Sequence, residues 1–323
     1  MATTQARPNI LVRPLVQSDL GEAARIICVA FGTFLGVADP ERFLGDADIA
    51  RSRWKTEPSS VLAAECDGKL VGSNFIANWG SFGFFGPLTI EPEYWNRGVA
   101  QRLLVATMEI FKRWGTRHMG LYTFAHSPKH LALYQKFGFW PRDLVALMAK
   151  PVGEKSATSA PGTVGLSAAS RDERPQVLAA CREVTDANFQ GLDVGMEIRA
   201  IAEQGLGDTI LVWNDQRLAA FAACHTGAGS EAGSGVCYVK FAAVRPGPNA
   251  GKDFVRLLGG IETFARTASA KKITAGVNLA RREAFQAMIA GGFRNERQGV
   301  AMETGDATGG YNRAGVFILD DWR

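Results

Sequence analysis

The sequence predicts a mixed α/β (α+β) chain made of two tandem copies of one domain, each a mixed, largely antiparallel sheet flanked by helices. Three observations carry that prediction. At 323 residues the chain exceeds the roughly 250–300 residues over which a single core keeps growing. Segments with strand and helix periodicity alternate along its whole length. The order also repeats: a shift of 154 residues lays Pro92 on Pro246, Arg102-Leu103-Leu104 on Arg256-Leu257-Leu258, and Gly138-Phe139 on Gly292-Phe293. Upstream, Asp67-Gly68-Lys69-Leu70 matches Asp215-Gln216-Arg217-Leu218 at a shift of 148, and the Gly/Ser-rich stretch 227–235 absorbs the difference as a hairpin loop. A repeat this long means two copies of a domain and not a solenoid. Residues 151–165, rich in Pro, Gly, Ser and Ala, read as the linker between domains at 1–150 and 166–323.

In the first copy, Asn9 to Pro14 reads as an opening strand. Ser18 is the expected N-cap of a helix whose apolar face is Ala23, Ile26, Ile27, Ala30 and Phe31. A second helix with long connections is expected within 34–58. Val61 to Glu65 and Leu70 to Ile76 are strands around the turn Cys66-Asp67-Gly68-Lys69. Phe82 to Ile90 is a long strand, Val99 to Trp114 a helix turning Leu103, Leu104, Thr107 and Phe111 inward, Met119 to Phe124 a strand, and Pro128 to Lys136 a helix. Leu144 to Ala149 is expected to close the unit. The second copy reads as a helix (175–187), strands (209–213, 218–224, 236–243), a helix (254–265), a strand (272–278) and a helix (282–290). It has two closing candidates, Gln298 to Glu303 and Ala314 to Leu319. The last is expected to contact or complete the first domain, bringing the Arg323 carboxylate toward its site.

An apolar content of 46% and a charged content of 21% describe an ordinary globular protein. The net charge of +4 is interspersed, which suits a phosphate-bearing ligand but not nucleic acid. Cys28, Cys66, Cys181, Cys224 and Cys237 are odd in number and form no C-x-x-C pair, so reduced thiols are expected, with no disulfide and no metal site. No signal-peptide stretch or 18-residue apolar run occurs, so a cytoplasmic, non-membrane protein is expected.

The chemistry concentrates between Leu88 and Phe139. Leu88 to Ile90 end an apolar strand, Arg97-Gly98-Val99-Ala100 form a short loop, and a helix follows directly. Small residues let phosphates approach the backbone, and the helix start offers unpaired N–H groups and a positive dipole end. Downstream lies Leu133-Tyr134-Gln135-Lys136-Phe137-Gly138-Phe139. Together these resemble the acetyl-CoA-dependent N-acyltransferases of the GNAT superfamily.

The resemblance implies two GNAT-like acyl-CoA N-acyltransferase domains, with acetyl-CoA as acyl donor and no metal. Against the family motif Q/R-x-x-G-x-G/A, Gly98 and Ala100 fit, and Trp95 departs from Gln or Arg. By this likeness Asn96, Arg97, Gly98, Val99, Ala100 and Gln101 hold the CoA pyrophosphate, a bulged fourth strand over Leu88, Thr89 and Ile90 supplies the carbonyl donor, and Ser127 bonds cofactor or water. Ser127 and His130 stand where relatives often carry Asn and Ala, and His130, more often a surface residue, stays a candidate by its position near the cofactor. Tyr134 is the implied general acid, its phenol near pKa 10 facing a thiol near 8.5. The general base is left open. His126, after the strand that ends beside the thioester, has an ordinary pKa of about 6.5 and is the candidate. A water chain, a residue of the second domain, Glu91 and Glu93 compete.

The expected function is therefore acetyl transfer to a primary amine by direct attack, the acceptor being a small molecule or a peptide. A non-catalytic acyl-CoA-binding module is the alternative, and a homodimer is left open. Phe75 to Phe85 reads equally as a lining for an apolar or aromatic amine and as strand core. In the second copy Lys252 and Phe254 replace Gly98 and Ala100, Asp253 opposes a phosphate, and Met288, which donates no proton, replaces Tyr134. That copy is expected to be catalytically degenerate.

Overall fold

The apolar faces read off the sequence are the buried faces of the computed structural model, which describes residues 9–153, 162–304 and 310–322. The first unit runs β1 (Ile10–Pro14), α1 (Leu20–Leu35), α2 (Ile49–Thr56), β2 (Val61–Cys66), β3 (Lys69–Trp79), β4 (Phe82–Ile90), α3 (Val99–Trp114), β5 (His118–Thr123), α4 (Pro128–Gln135) and β6 (Trp140–Pro151). The second runs β7 (Thr163–Gly165), α5 (Arg174–Asn188), α6 (Gly195–Gln204), β8 (Gly207–Asn214), β9 (Arg217–Gly227), β10 (Gly233–Val244), α7 (Ala250–Thr267), β11 (Lys272–Asn278), α8 (Arg282–Ala290), β12 (Arg294–Thr304) and the short β13 (Ile318–Leu319). The repeat offset of 154 carries β5, α4 and β6 onto the starts of β11, α8 and β12. Ser18 does not cap α1: it sits in a 3-10 turn, and the Asp19 carboxylate instead ties the chain to the Val16 amide and the Arg13 guanidinium. Two elements were missed in the sequence: α6, whose Ile198 and Ile201 face the core, and the three-residue β7.

Alternation along β2 separates the first unit into two cores. Leu62, Ala64 and Cys66 pack with Leu103, Leu104 and Phe111 of α3 and Phe139 after α4, whereas Val61 and Ala63 pack with Ala23 and Ile27 of α1. Burying a side chain such as Leu103 contributes about 1.5–3 kcal/mol. So α3 and α4 cover one face of the sheet and α1 and α2 the other. Phe75, Phe82, Phe84 and Phe85 are all buried, so this stretch is strand core and lines no acceptor pocket.

The strand order is β1-β2-β3-β4-β5-β12-β6-β11-β10-β9-β8-β7, with β13 on β10. Each unit thus lends a strand to the other. β12 lies antiparallel between β5 and β6, and β6 lies antiparallel between β12 and β11. Leu144 to Ala149 therefore do not close the first sheet. The α4 crossover lands β6 one strand away from β5, and β12 fills the vacancy (Val300 opposite Thr123, Met302 opposite Leu121). Of the expectation that the last strand contacts or completes the first unit, the contact is present, with Ile318 and Trp322 packed in one core with Phe82 and Phe84, but β12 completes the sheet while β13 pairs with β10 at Ala242 and Ala243. Arg323 lies outside the described residues. The predicted linker shares its ends with strands, because β6 extends to Pro151 and β7 opens at Thr163; residues 154–161 lie outside the described set.

A buried ion cluster fastens the units together. Glu231 accepts from Arg53 of α2 (2.6 Å) and from Lys240 of β10 (2.8 Å), and Arg53 also donates to the Gly86 carbonyl of β4. Glu231 is held well below the usual carboxylate range by its two cations, which overcome the opposing effect of burial.

Candidate active site

β4 and β5 are parallel neighbours only where Phe82 to Phe84 face His118 to Gly120. Beyond that point they part, and β4 runs on to Ile90. A bulge accompanies the parting: Asn74 faces Leu88 while Ile76 faces Phe85, so Gly86 and Pro87 together oppose Phe75. The gap is a cleft of about 470 Å³, lined by Ala30, Phe31 and Phe34 from α1, by the end of β4, by the start of α3, and by α4. Because α1 lies on the face opposite α3 and α4, the cleft passes through the sheet.

At one end Asn96 (φ 65°) and Gly98 (φ 82°) turn the chain sharply into α3. A Cβ on Gly98 would meet nothing nearer than the Gln101 side-chain oxygen at 4.0 Å, so glycine serves the left-handed backbone here and not a tight fit. Asn96, Gly98, Val99, Ala100 and Gln101 all line the cleft, as do Leu88, Thr89 and Ile90. Arg97 does not; it stacks over the Tyr94 ring at 5.3 Å. Trp95, the departure from the family pattern, latches the strand exit by donating from its indole N–H to the Ile90 carbonyl (2.8 Å). Its ring carries the Lys129 ammonium at 5.5 Å. The cradle of free amides, with Lys129 and Lys136 on its rim, fits a pyrophosphate.

Tyr134 stands in the cleft wall, buried against Phe85 and hydrogen-bonded to the Thr123 side chain. Burial pushes its phenol up to about 12, so it holds its proton through the neutral range. His126 is exposed outside the cleft, stacked on Phe34, because it precedes α4 on the connecting loop. Ser127 is buried at the N-cap of α4 without lining the cleft. Glu91 is paired with Arg25, and neither Glu91 nor Glu93 lines the cleft. The imidazole in the cleft is His130, one helical turn before Tyr134 and packed on Phe34 (4.9 Å between ring centroids). Its Nδ1 is buried without a hydrogen-bond partner, and burial, with Lys129 nearby, lowers its pKa and favours the neutral ring. Sequence reading missed Phe31, Phe34, Phe124, Lys129 and Lys136. The i, i+4, i+7 spacing of Lys129 and Leu133 on α4 and Lys136 at its C-cap was the available signal.

The corresponding place in the second unit is closed. β10 and β11 pair in parallel over Val236 to Val239 and then part as β4 and β5 do, but β13 fills the gap. The Val244 amide donates to the Phe317 carbonyl, Arg281 donates to the Ile318 carbonyl and to Asp320, and Asp321 lies against Gly276, where a Cβ would come within 2.2 Å of the aspartate's own. At the start of α7 the Asp253 carboxylate accepts from Arg256 and Asn214, and Phe254 and Met288 are fully buried.

Residues 31–139 match the family model described as "Acetyltransferase (GNAT) family". No curated protein matches the sequence significantly. Among solved structures, a Pyrococcus horikoshii protein superposes with a TM-score of 0.69 at 13% identity, over 98% of this chain and 96% of its own. A GCN5-related N-acetyltransferase from Sphaerobacter thermophilus gives 0.58 at 15%, over 93% and 96%. The glucosamine N-acetyltransferase region of a fungal multi-domain β-N-acetylglucosaminidase gives 0.62 at 14%, over 92% and 38%. At these identities the likeness is one of fold, and it runs through both units. The matched segment holds every cleft residue except Ala30. The stretch that builds the cleft is thus the stretch that resembles the acetyltransferase (GNAT) family.

Proposed function

We propose that the first unit transfers an acetyl group from acetyl-CoA to a primary amine by direct attack, and that the second unit is catalytically degenerate. The observation that carries this reading is the cleft through the sheet. It has a phosphate cradle at one end, Tyr134 in its wall, and an end lined by Ala30, Phe31 and Phe34 of α1. Two substrates can then enter from opposite faces and meet beside one acid, which removes most of the entropic cost of the encounter.

Asn96 to Gln101 would hold the pyrophosphate through backbone amides, with Lys129 and Lys136 adding charge, and the exit of β4 would polarise the thioester carbonyl. Attack by the neutral amine forms the C–N bond as the carbonyl pair moves to oxygen. The return of that pair breaks the C–S bond. His130, neutral and inside the cleft, takes the ammonium proton in place of His126, and Tyr134 supplies the proton to the departing thiolate. With the phenol at about 12 that transfer is uphill toward a free thiolate, so it accompanies C–S cleavage and does not precede it. Proton return from His130 to Tyr134, neighbours on one helix face, restores both groups. In the second unit, β13 in the groove and Asp253 at the helix start both argue against acyl-CoA binding.

Thiol release with a panel of amines tests the reading, alongside calorimetric titration of CoA. Expected are one CoA per chain, turnover with at least one amine, and a loss of about 10²–10⁴ in kcat for Tyr134→Phe at unchanged CoA affinity. Two CoA per chain, or full activity in Tyr134→Phe, refutes it.

A further inference from the structure

Resting on that reading, we infer that the α1 end of the cleft is the acceptor pocket and selects a primary amine carried on an aryl or branched-alkyl body with no further positive charge. The cradle assigns the α3 end to the nucleotide, which leaves the opposite face for the acceptor. That end is walled by Ala30, Phe31, Phe34 and Phe124, with His130 beside them. The wall is braced ring on ring. Phe34 lies 4.7 Å from Phe124, Phe31 lies 6.3 Å from Phe124, and Phe43 backs Phe31 at 6.1 Å. Aromatic pairs in such tilted and edge arrangements hold their shape, so the surface offered to a substrate is fixed and apolar.

Charge makes the same choice. Among the described residues no Asp or Glu lines the cleft; its ionisable lining is Lys129, His130, Lys136 and two tyrosines. Lys129 is held over Trp95, toward the cradle. A polyamine or aminoglycoside would bring several ammonium groups into a passage with no counter-charge, and desolvating each would be unfavourable. A single amine gains from the same setting, since an apolar surround lowers its pKa and raises the fraction of nucleophilic free base.

The test uses the full-length protein at saturating acetyl-CoA, with 2-phenylethylamine, 3-methylbutylamine, spermidine and lysine compared by kcat/KM. The first two should exceed spermidine and lysine by about tenfold or more, the scale on which apolar pockets discriminate. Phe34→Ala should raise KM for 2-phenylethylamine about tenfold more than it raises KM for lysine. Phe34→Asp should move the preference toward spermidine. Spermidine or lysine as the best acceptor overturns the inference while leaving the acetyltransferase reading intact, as does an equal loss of kcat for every amine in Phe34→Ala. No turnover on any amine, with one CoA bound, overturns the underlying reading and the inference with it.

Discussion

Replacing Glu231 isolates the junction that fastens the two units together beside the β4 bulge. Its carboxylate is buried between Arg53 at 2.6 Å and Lys240 at 2.8 Å, with side-chain exposures of 4%, 11% and 2% for the three residues. Glu231→Gln keeps the volume and most of the hydrogen-bonding capacity but leaves two cations in a dry site facing each other. Breaking a buried pair in this way costs about 3–5 kcal/mol, a large fraction of the 5–15 kcal/mol typical of a whole protein. At about 2 °C per kcal/mol for a chain this long, Tm should fall by about 6–10 °C. Urea unfolding followed by tryptophan fluorescence is the assay, and the midpoint should drop with the m-value unchanged. Asp39→Ala is the control. It breaks an ion pair with Arg42 in which the side chains are 59% and 87% exposed, and should move stability by less than about 1 kcal/mol. Adding Lys240→Met to Glu231→Gln removes one stranded cation and should recover part of the loss. A penalty for Glu231→Gln no larger than that of the control would refute the reasoning. Because Arg53 also donates to the Gly86 carbonyl at the β4 bulge, the variant should bind CoA more weakly as well.

Three further outcomes are expected. Gly98→Ala forces a side chain into the left-handed region at a cost of about 1–2 kcal/mol, so CoA affinity measured by calorimetry should fall about tenfold although the added methyl meets open space. His225 is buried beside Glu231, Lys240 and Arg53, and burial lowers it to about 4. The unfolded chain therefore binds its proton first as pH falls. About 3 kcal/mol of stability is fully present above pH 6.5 and is lost as pH falls toward 4, so urea midpoints at pH 7 and pH 5 should differ in the wild type and converge in His225→Asn. With Tyr134 raised to about 12 and His130 lowered, the kcat profile should rise on an acid limb below pH 6.5 and show no alkaline fall before about pH 11 that Tyr134→Phe removes; His130→Gln should abolish the acid limb.

Much of this protein is written in local pattern. The inward faces of α1 and α3, the turn at Asp67-Gly68, the strand–loop–helix that shapes the cradle, and Tyr134 one short helix downstream all follow from spacing and residue type, because each depends on neighbours within a few turns of chain. The repeat at 154 residues likewise pointed to two copies of one unit, with Lys252, Asp253, Phe254 and Met288 standing where the first copy has other residues. What tertiary structure alone decided is which distant pieces meet. β6 and β12 read as equivalent strands, and nothing local states that each completes the other unit's sheet, since strand partners are chosen by long-range packing and not by periodicity. His126 looked closer to the chemistry because it follows the strand end, but the phase of α4 turns His130 into the cleft instead. The same applies to Phe31 and Phe34: their helix period identified a buried face, and only the parting of β4 from β5 turned the edge of that face into the wall of a cleft.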